Sequence, residues 1–225
     1  MMETYLSPLY ISLSTVFTAT VITFFTGIAA ARWMARYQGQ MRDFIDGILI
    51  LPLVLPPTVV GLGLLMLFGK HGPVGQMLLL LGATVVFSWP ATVIAATVVA
   101  FPLMYMNARG AFEQVDINVE NAARTLGANE WRVFWSVTLP LAWPGVAAGA
   151  VLAFARAMGE FGATLMLAGY IPGKTATIPV AIYFAVQDGD MNQALILVLI
   201  VLFIVFASLG ALAYFKSKTY KVVTV

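Results

Sequence analysis

The sequence predicts an all-α, polytopic membrane protein with about five transmembrane helices and short surface helices between them. Three observations carry this. Of 225 residues, 61% are hydrophobic and only 10% are charged, against about 25% charged in soluble domains, so the chain cannot cover its surface with charge. Apolar runs of about 20 residues, the length that crosses a bilayer, recur along it. Lysines and arginines gather on alternate connections, as they do on the cytoplasmic side of membrane proteins. A single transmembrane domain over 1–225 is expected.

The first span is 9–31. No basic segment precedes it and its positive charges follow it, so it reads as an uncleaved anchor with a translocated N-terminus. The second is 47–69. The stretch 72–108 has no charge and is too long for one helix, and Pro73, Gly75 and Gly82 break its first part. It divides into a short outer surface helix at 75–81 and a third span at 84–107. The fourth span is 141–165 and the fifth 191–215. The uncharged stretch 175–187 is too short to cross.

Arg32, Arg36 and Arg42 follow the first span. Arg109, Arg124 and Arg132 lie between the third and fourth, and Lys216, Lys218 and Lys221 follow the fifth. Only Lys70 and Lys174 fall on the other side. Five spans therefore place the N-terminus outside and the C-terminus in the cytoplasm. Splitting 72–108 into two spans would move the arginine-bearing 109–132 segment outside.

Composition excludes several functions. A net charge of +2, scattered along the chain, does not suit nucleic acid. Without cysteine there is no disulfide, thiolate metal site or thiol catalysis. The one histidine, His71, reads as a solvated loop residue. The segment Gly169-Tyr170-Ile171-Pro172-Gly173-Lys174-Thr175 has one residue too few between its glycines for a phosphate-binding loop, and reads as a turn. Asp188 and Asp190 read as outer surface charge or a contact for an external partner. No catalytic cluster can be assembled, so neither an enzyme nor a cofactor is expected.

Two spans are interrupted chemically. The second contains Leu51-Pro52-Leu53-Val54-Leu55-Pro56-Pro57, where prolines remove donors and clash with the preceding turn. It is expected to be bent or broken, either as an ordinary kink or as part of a substrate path. The fourth contains Arg156-Ala157-Met158-Gly159-Glu160-Phe161-Gly162. Arg156 and Glu160, four apart, are expected to share a helix face and pair. Ionisable groups inside a span cost about 2.5–3.5 kcal/mol each on insertion scales. The pair is therefore either a packing lock or a gate element, with Arg156 the contact for any anion and Glu160 its anchor. Gly159 and Gly162 permit close approach or a hinge. Gly145-Val146-Ala147-Ala148-Gly149 is a helix-packing pattern, within the bundle or across a dimer.

Between the third and fourth spans lies a polar loop, 109–140. Residues 119–126 favour helix, with Ala122, Ala123 and Leu126 on one strip. Gly127 is placed to end that helix, Trp131, Phe134 and Trp135 to re-enter the interface, and Pro140 to open the next span. Physics alone leaves an amphipathic connector and a docking element both open.

Asn121-Ala122-Ala123, three residues, Gly127, nine residues, then Val137-Thr138-Leu139-Pro140 resembles the EAA loop of ABC-importer permeases: Glu-Ala-Ala, three residues, Gly, nine residues, Ile-x-Leu-Pro. Asn121 stands at the glutamate position, with Glu120 one residue earlier, and Val137 at the isoleucine. Leu51-Pro52-Leu53-Val54-Leu55-Pro56-Pro57-Thr58, Phe87-Ser88-Trp89, Phe101-Pro102-Leu103-Met104, the segment from Phe154 to Thr164 and that from Ile171 to Pro179 are similar to molybdate-type permeases. Sulfate permeases share a looser version. The resemblance covers roughly 40–210.

The resemblance implies a multi-pass permease in a prokaryotic cytoplasmic (inner) membrane. It would import molybdate or tungstate as a homodimer with two cytoplasmic ABC ATPase subunits and an external or periplasmic oxyanion-binding protein. It assigns ATPase coupling to Glu120, Asn121, Ala122, Ala123, Arg124, Leu126, Gly127 and Ala128. The small-residue face is expected to dock, with the carboxylate dispensable. Pro56, Pro57, Arg156, Gly159, Glu160, Phe161 and Gly162 become candidates for the pathway or gate. The alternatives are a sulfate/thiosulfate-type permease and an ATP-independent anion transporter. The latter leaves the Ala-Ala-x3-Gly segment unexplained.

Overall fold

The computed structural model describes residues 2–223, with side chains over 5–211. Lys216, Lys218 and Lys221, part of the basic bias, lie beyond those side chains. Among the described residues there are helices and no strands. Four helices are long and apolar enough to cross a membrane, and a bent pair supplies a fifth crossing if counted as one span.

Helix α1 (Met2–Arg36) is the first. The second span is broken as its prolines require: α2 (Arg42–Val54) and α3 (Pro57–Phe68) meet at 110°. A residue before proline is driven out of helical geometry, and both Leu55 (ψ 145°) and Pro56 (ψ 136°) are extended. Pro57 then starts α3, where its missing N–H costs nothing. Helix α4 (Pro73–Leu80) is the expected surface helix.

Helix α5 (Trp89–Glu113) runs six residues past the expected end at 107. Polar residues mark where a span leaves lipid, not where its helix stops. Arg109 and Glu113, paired at 2.9 Å across one turn, favour continuation. Helix α6 (Ile117–Thr125) follows. Helix α7 (Glu130–Val133) passes through one π turn, Phe134–Thr138, into α8 (Leu139–Met158). The helix was expected to open at Pro140, but it is continuous from Glu130. The wider turn sits beside Pro140, which has no N–H to give to the usual ladder.

The fourth span also ends early. Helix α8 stops at Met158, and a separate α9 (Gly162–Ala168) follows. Helices α10 (Ile178–Gln187) and α11 (Met191–Val223) complete the chain.

The core lies between α1, α5 and α8, where Ala19, Ala31, Met34, Ala100, Met104, Tyr105, Ala108, Val146 and Ala153 are buried. Small residues bring these helices close, as packing in lipid demands. A Cβ on Gly145 would lie 2.5 Å from Ala111 Cβ, and one on Gly149 2.9 Å from Asn107 Cβ. That glycine pattern is thus used inside the chain, against α5. A second cluster joins α3, α9 and the N-terminal half of α5 through Val60, Leu64, Ala95, Val99, Ala163 and Leu167.

Candidate coupling surface and membrane interruption

The polar loop folds into a helix with defined ends. Asp116 caps α6 by accepting from Asn118 N at 2.9 Å. At the other end Gly127 takes φ +86°, a left-handed value that glycine adopts without strain. Gly127 N then reaches Arg124 O at 2.9 Å and Ala128 N reaches Ala123 O at 3.1 Å, closing the helix end. Asn129 caps α7 from 2.8 Å. Asn121, Ala122, Thr125, Leu126 and Gly127 are exposed, Leu126 at 90%. Ala123, Arg124 and Ala128 are half-buried.

Glu120 does not share that face. It points inward, buried, and accepts from Thr138 Oγ1 at 2.5 Å, Arg124 at 2.9 Å and Arg36 at 3.3 Å. Arg36 and Arg124 also bind Glu130, at 2.5 and 2.6 Å. Arg32 donates to the Glu130 carbonyl and lies 4.0 Å over the Phe134 ring. Glu120 therefore ties α6 to the end of α1 and to the π turn, beside a cavity of about 570 Å³. Burial pushes its carboxyl up, but hydrogen bonds from Thr138 and Arg124 and the Arg36 charge outweigh it and hold the group below its ordinary value. The carboxylate thus stands apart from the exposed small-residue face and serves as an internal anchor. Asn121 is exposed at the surface and accepts from Arg124 at 2.7 Å. The sequence held one sign of the anchor, the Glu120/Arg124 spacing; nothing in it pointed to Thr138.

The second feature is the break between α8 and α9. Arg156 lies in the last turn of α8 and Glu160 beyond its end, so the two do not share a helix face as expected. They still pair, at 3.0 Å. The Glu160 carboxylate, 2% exposed, also accepts from Ala163 N at 2.7 Å. It thus starts α9 while holding Arg156, and this second bond competes with continuation of α8. Gly159 has φ −89° and no close neighbour, so nothing there demands glycine.

The two interruptions, a hundred residues apart in the chain, come together. A Cβ on Gly162 would lie 3.0 Å from Pro57 Cβ, and one on Gly61 2.7 Å from Ala163 Cα. Helices α3 and α9 therefore pack backbone against backbone near their starts. Pro56 is exposed at the bend. The Phe161 ring meets Tyr183 of α10 at 5.1 Å. The 169–175 segment is a closed turn: Thr175 Oγ1 accepts from Ile171 N at 3.0 Å and donates to Gly169 O at 3.2 Å.

This fold and this surface define a class. The family model for the binding-protein-dependent transport system inner membrane component matches residues 9–219, and the chain belongs to that family, as a multi-pass membrane permease. Among its relatives, the putative molybdenum transport system permease protein YvgM of Bacillus subtilis (strain 168) is 43% identical over 191 residues, 84% of each chain. The molybdenum transport system permease protein ModB of Escherichia coli (strain K12) is 50% identical over 162 residues, 72% of this chain and 71% of that one. A probable sulfate transport system permease, cysT of Chlorokybus atmophyticus, is 32% identical over 212 residues, 94% and 74% of the two chains. The inward-facing MetNI methionine ABC transporter shares the fold at TM-score 0.73 and 15% identity, over 96% of this chain and 95% of that one. A bacterial ABC transporter involved in the import of the acidic polysaccharide alginate does so at 0.70 and 18%, over 92% and 79%.

Proposed function

We propose that this chain is the permease of an ATP-driven importer of molybdate, or of the near-identical dianion tungstate. In this reading it works as a homodimer with two cytoplasmic ABC ATPase subunits and a periplasmic or external oxyanion-binding protein. The N-terminus is outside, and the end carrying Arg36, Arg109 and α6 is cytoplasmic. The observation that carries the reading is the exposed Asn121–Gly127 face on a helix fixed from behind by Glu120. Such a surface can receive force without absorbing it. ATPase closure moves α6, and the Arg36–Glu120–Thr138 contacts pass that motion to α1 and α8. The dianion crosses between the two permeases, with Arg156 as the intramembrane cation and the Pro57/Gly162 contact beside the path. The molybdenum names of relatives at 43% and 50% identity support the substrate.

The test is uptake of labelled molybdate and sulfate into vesicles holding the permease with its ATPase and binding protein. Molybdate uptake with ATP hydrolysis is expected. Gly127→Asp should uncouple hydrolysis from uptake while the permease stays in the membrane. Normal uptake and normal ATPase binding in that variant would sink the docking assignment. The sulfate relative at 32% identity favours a second reading, a sulfate permease; uptake of sulfate in preference to molybdate would establish it.

A further inference from the structure

One polar cluster takes no part in the coupling surface or the membrane break. On α2, Asp46 Oδ1 accepts from Tyr105 Oη at 2.6 Å and pairs with Arg109. Arg42, at the start of α2, binds Glu113 at 2.8 Å, and Glu113 also binds Arg109 at 2.9 Å. Two side chains of α2 are thus held by three of α5.

This matters because little else holds α2. None of its residues is buried, and Phe44, Ile48 and Leu51, on one stripe, are 63%, 52% and 47% exposed. Only Ile45, Leu49 and Ile50 rest partly against the core. Across the bend, α3 is fixed by the backbone-close contacts of Gly61 and Gly162. The joint between the two halves, Leu55-Pro56-Pro57, has two residues with no N–H and cannot be stiffened by a helical ladder. The Asp46 and Arg109 side chains are 25% and 20% exposed and those of Arg42 and Glu113 38%, so water can replace part of each bond as α2 leaves, whereas separating packed apolar surfaces exposes area that water does not compensate. The α2 end is therefore the part of the broken span built to release.

We propose that Asp46, Tyr105 and Arg109 are positioning residues that latch α2 against α5, and that α2 swings about Leu55–Pro56 when this latch opens during transport. The proposal rests on the transport reading above. The latch is wired to the coupling helix from both sides. Glu113 is the last residue of α5, and only Gln114, Val115 and Asp116 separate it from α6. Residues 37–41 join α2 to Arg36, which Glu120 and Glu130 hold. A displacement of α6 pulls on both partners of the latch.

The chain has no cysteine, so a single reporter can be placed without removing others. Ile45→Cys, on α2 and half-buried against the core, is labelled with a water-soluble maleimide in membranes carrying the full chain. Adding Asp46→Asn should raise the labelling rate about tenfold, the factor set by losing one charge-assisted hydrogen bond, and should cut molybdate uptake by the assembled transporter. Asp46→Glu should return both toward the parental values. Tyr105→Phe, which removes a single donor and keeps the ring, should raise labelling less. Parental labelling in both Asp46→Asn and Tyr105→Phe overturns the latch. Faster labelling with full uptake overturns its part in transport. Absence of molybdate uptake by the parent transporter would strike the proposed function instead, and the labelling comparison, made on the permease in its membrane, would still decide the latch.

Discussion

Replacing Glu120 with glutamine tests the anchor most directly. The carboxylate accepts from Thr138, Arg124 and Arg36 and is 9% exposed as a side chain. A hydrogen bond to a charged group contributes about 1.5–3 kcal/mol. Breaking a buried pair outright costs about 3–5 kcal/mol. Two facts set the value at the low end: both arginines keep Glu130 as a partner, and glutamine retains an acceptor for Thr138. A loss of about 2 kcal/mol for the docking of α6 against α1 and the π turn is therefore expected. Since about 1.4 kcal/mol is tenfold in an equilibrium constant, amide hydrogen exchange across 117–125 should quicken roughly thirtyfold. Exchange measured by mass spectrometry on the reconstituted protein reads this directly. Asn121→Ala, one residue along but exposed, should leave the same peptides within about twofold, as surface substitutions do. Unchanged exchange in Glu120→Gln, or equal effects at both positions, would refute the anchor.

Other expectations follow from the same contacts. Lowering the pH should loosen α6: the Glu120 carboxyl is held below its ordinary 4.5, so its contribution is complete above that value and lost as pH falls through the lower folded value; exchange across 117–125 in a pH series checks this, and Glu120→Gln should flatten the response. Gly61→Ala should separate α3 from α9, because the added Cβ meets Ala163 Cα at 2.7 Å, costing about 1–3 kcal/mol as overpacking does and lowering the melting temperature in detergent. Exchanging the charges of Arg156 and Glu160 should not restore function lost by either single change, since an arginine at 160 cannot accept from Ala163 N; uptake restored by the double variant would show that the pair is only an ion pair. Arg156→Ala should lower both uptake and the melting temperature in detergent, because it leaves the Glu160 carboxylate, 2% exposed, without its charge partner; an unchanged melting temperature would show that Ala163 N alone holds the carboxylate.

Much of the architecture was legible because lipid leaves few options. Apolar length marked the long helices, three prolines between 52 and 57 announced the break, and Gly127 marked the end of α6. Other features were hidden for definite reasons. Helix α5 continues to Glu113 because leaving the bilayer does not stop a helix. The fourth span ends at Met158 because the Glu160 carboxylate bonds to a main-chain donor, which residue spacing cannot reveal. Glu120 read as one of the coupling residues beside the alanines. Its inward direction depends on Arg36 and Thr138, 84 and 18 residues away. The meeting of Pro57 with Gly162 and the tether of Asp46 to Arg109 are likewise tertiary pairings with no local signature.

The uninterrupted helix from Glu130 to Met158 has a mechanical consequence. At 29 residues it is a rod about 43 Å long, with the turn that closes α6 joined to one end and the Arg156–Glu160 break at the other. A tilt of about 10° about either end displaces the opposite end by about 7 Å at this length. A small rotation at the membrane surface thus becomes, at the far end of the lever, a movement larger than the radius of a tetrahedral oxyanion. The π turn, where the rod's hydrogen-bond ladder is widened, lies close to the α6 end, so bending there leaves most of the rod's length to act as one piece.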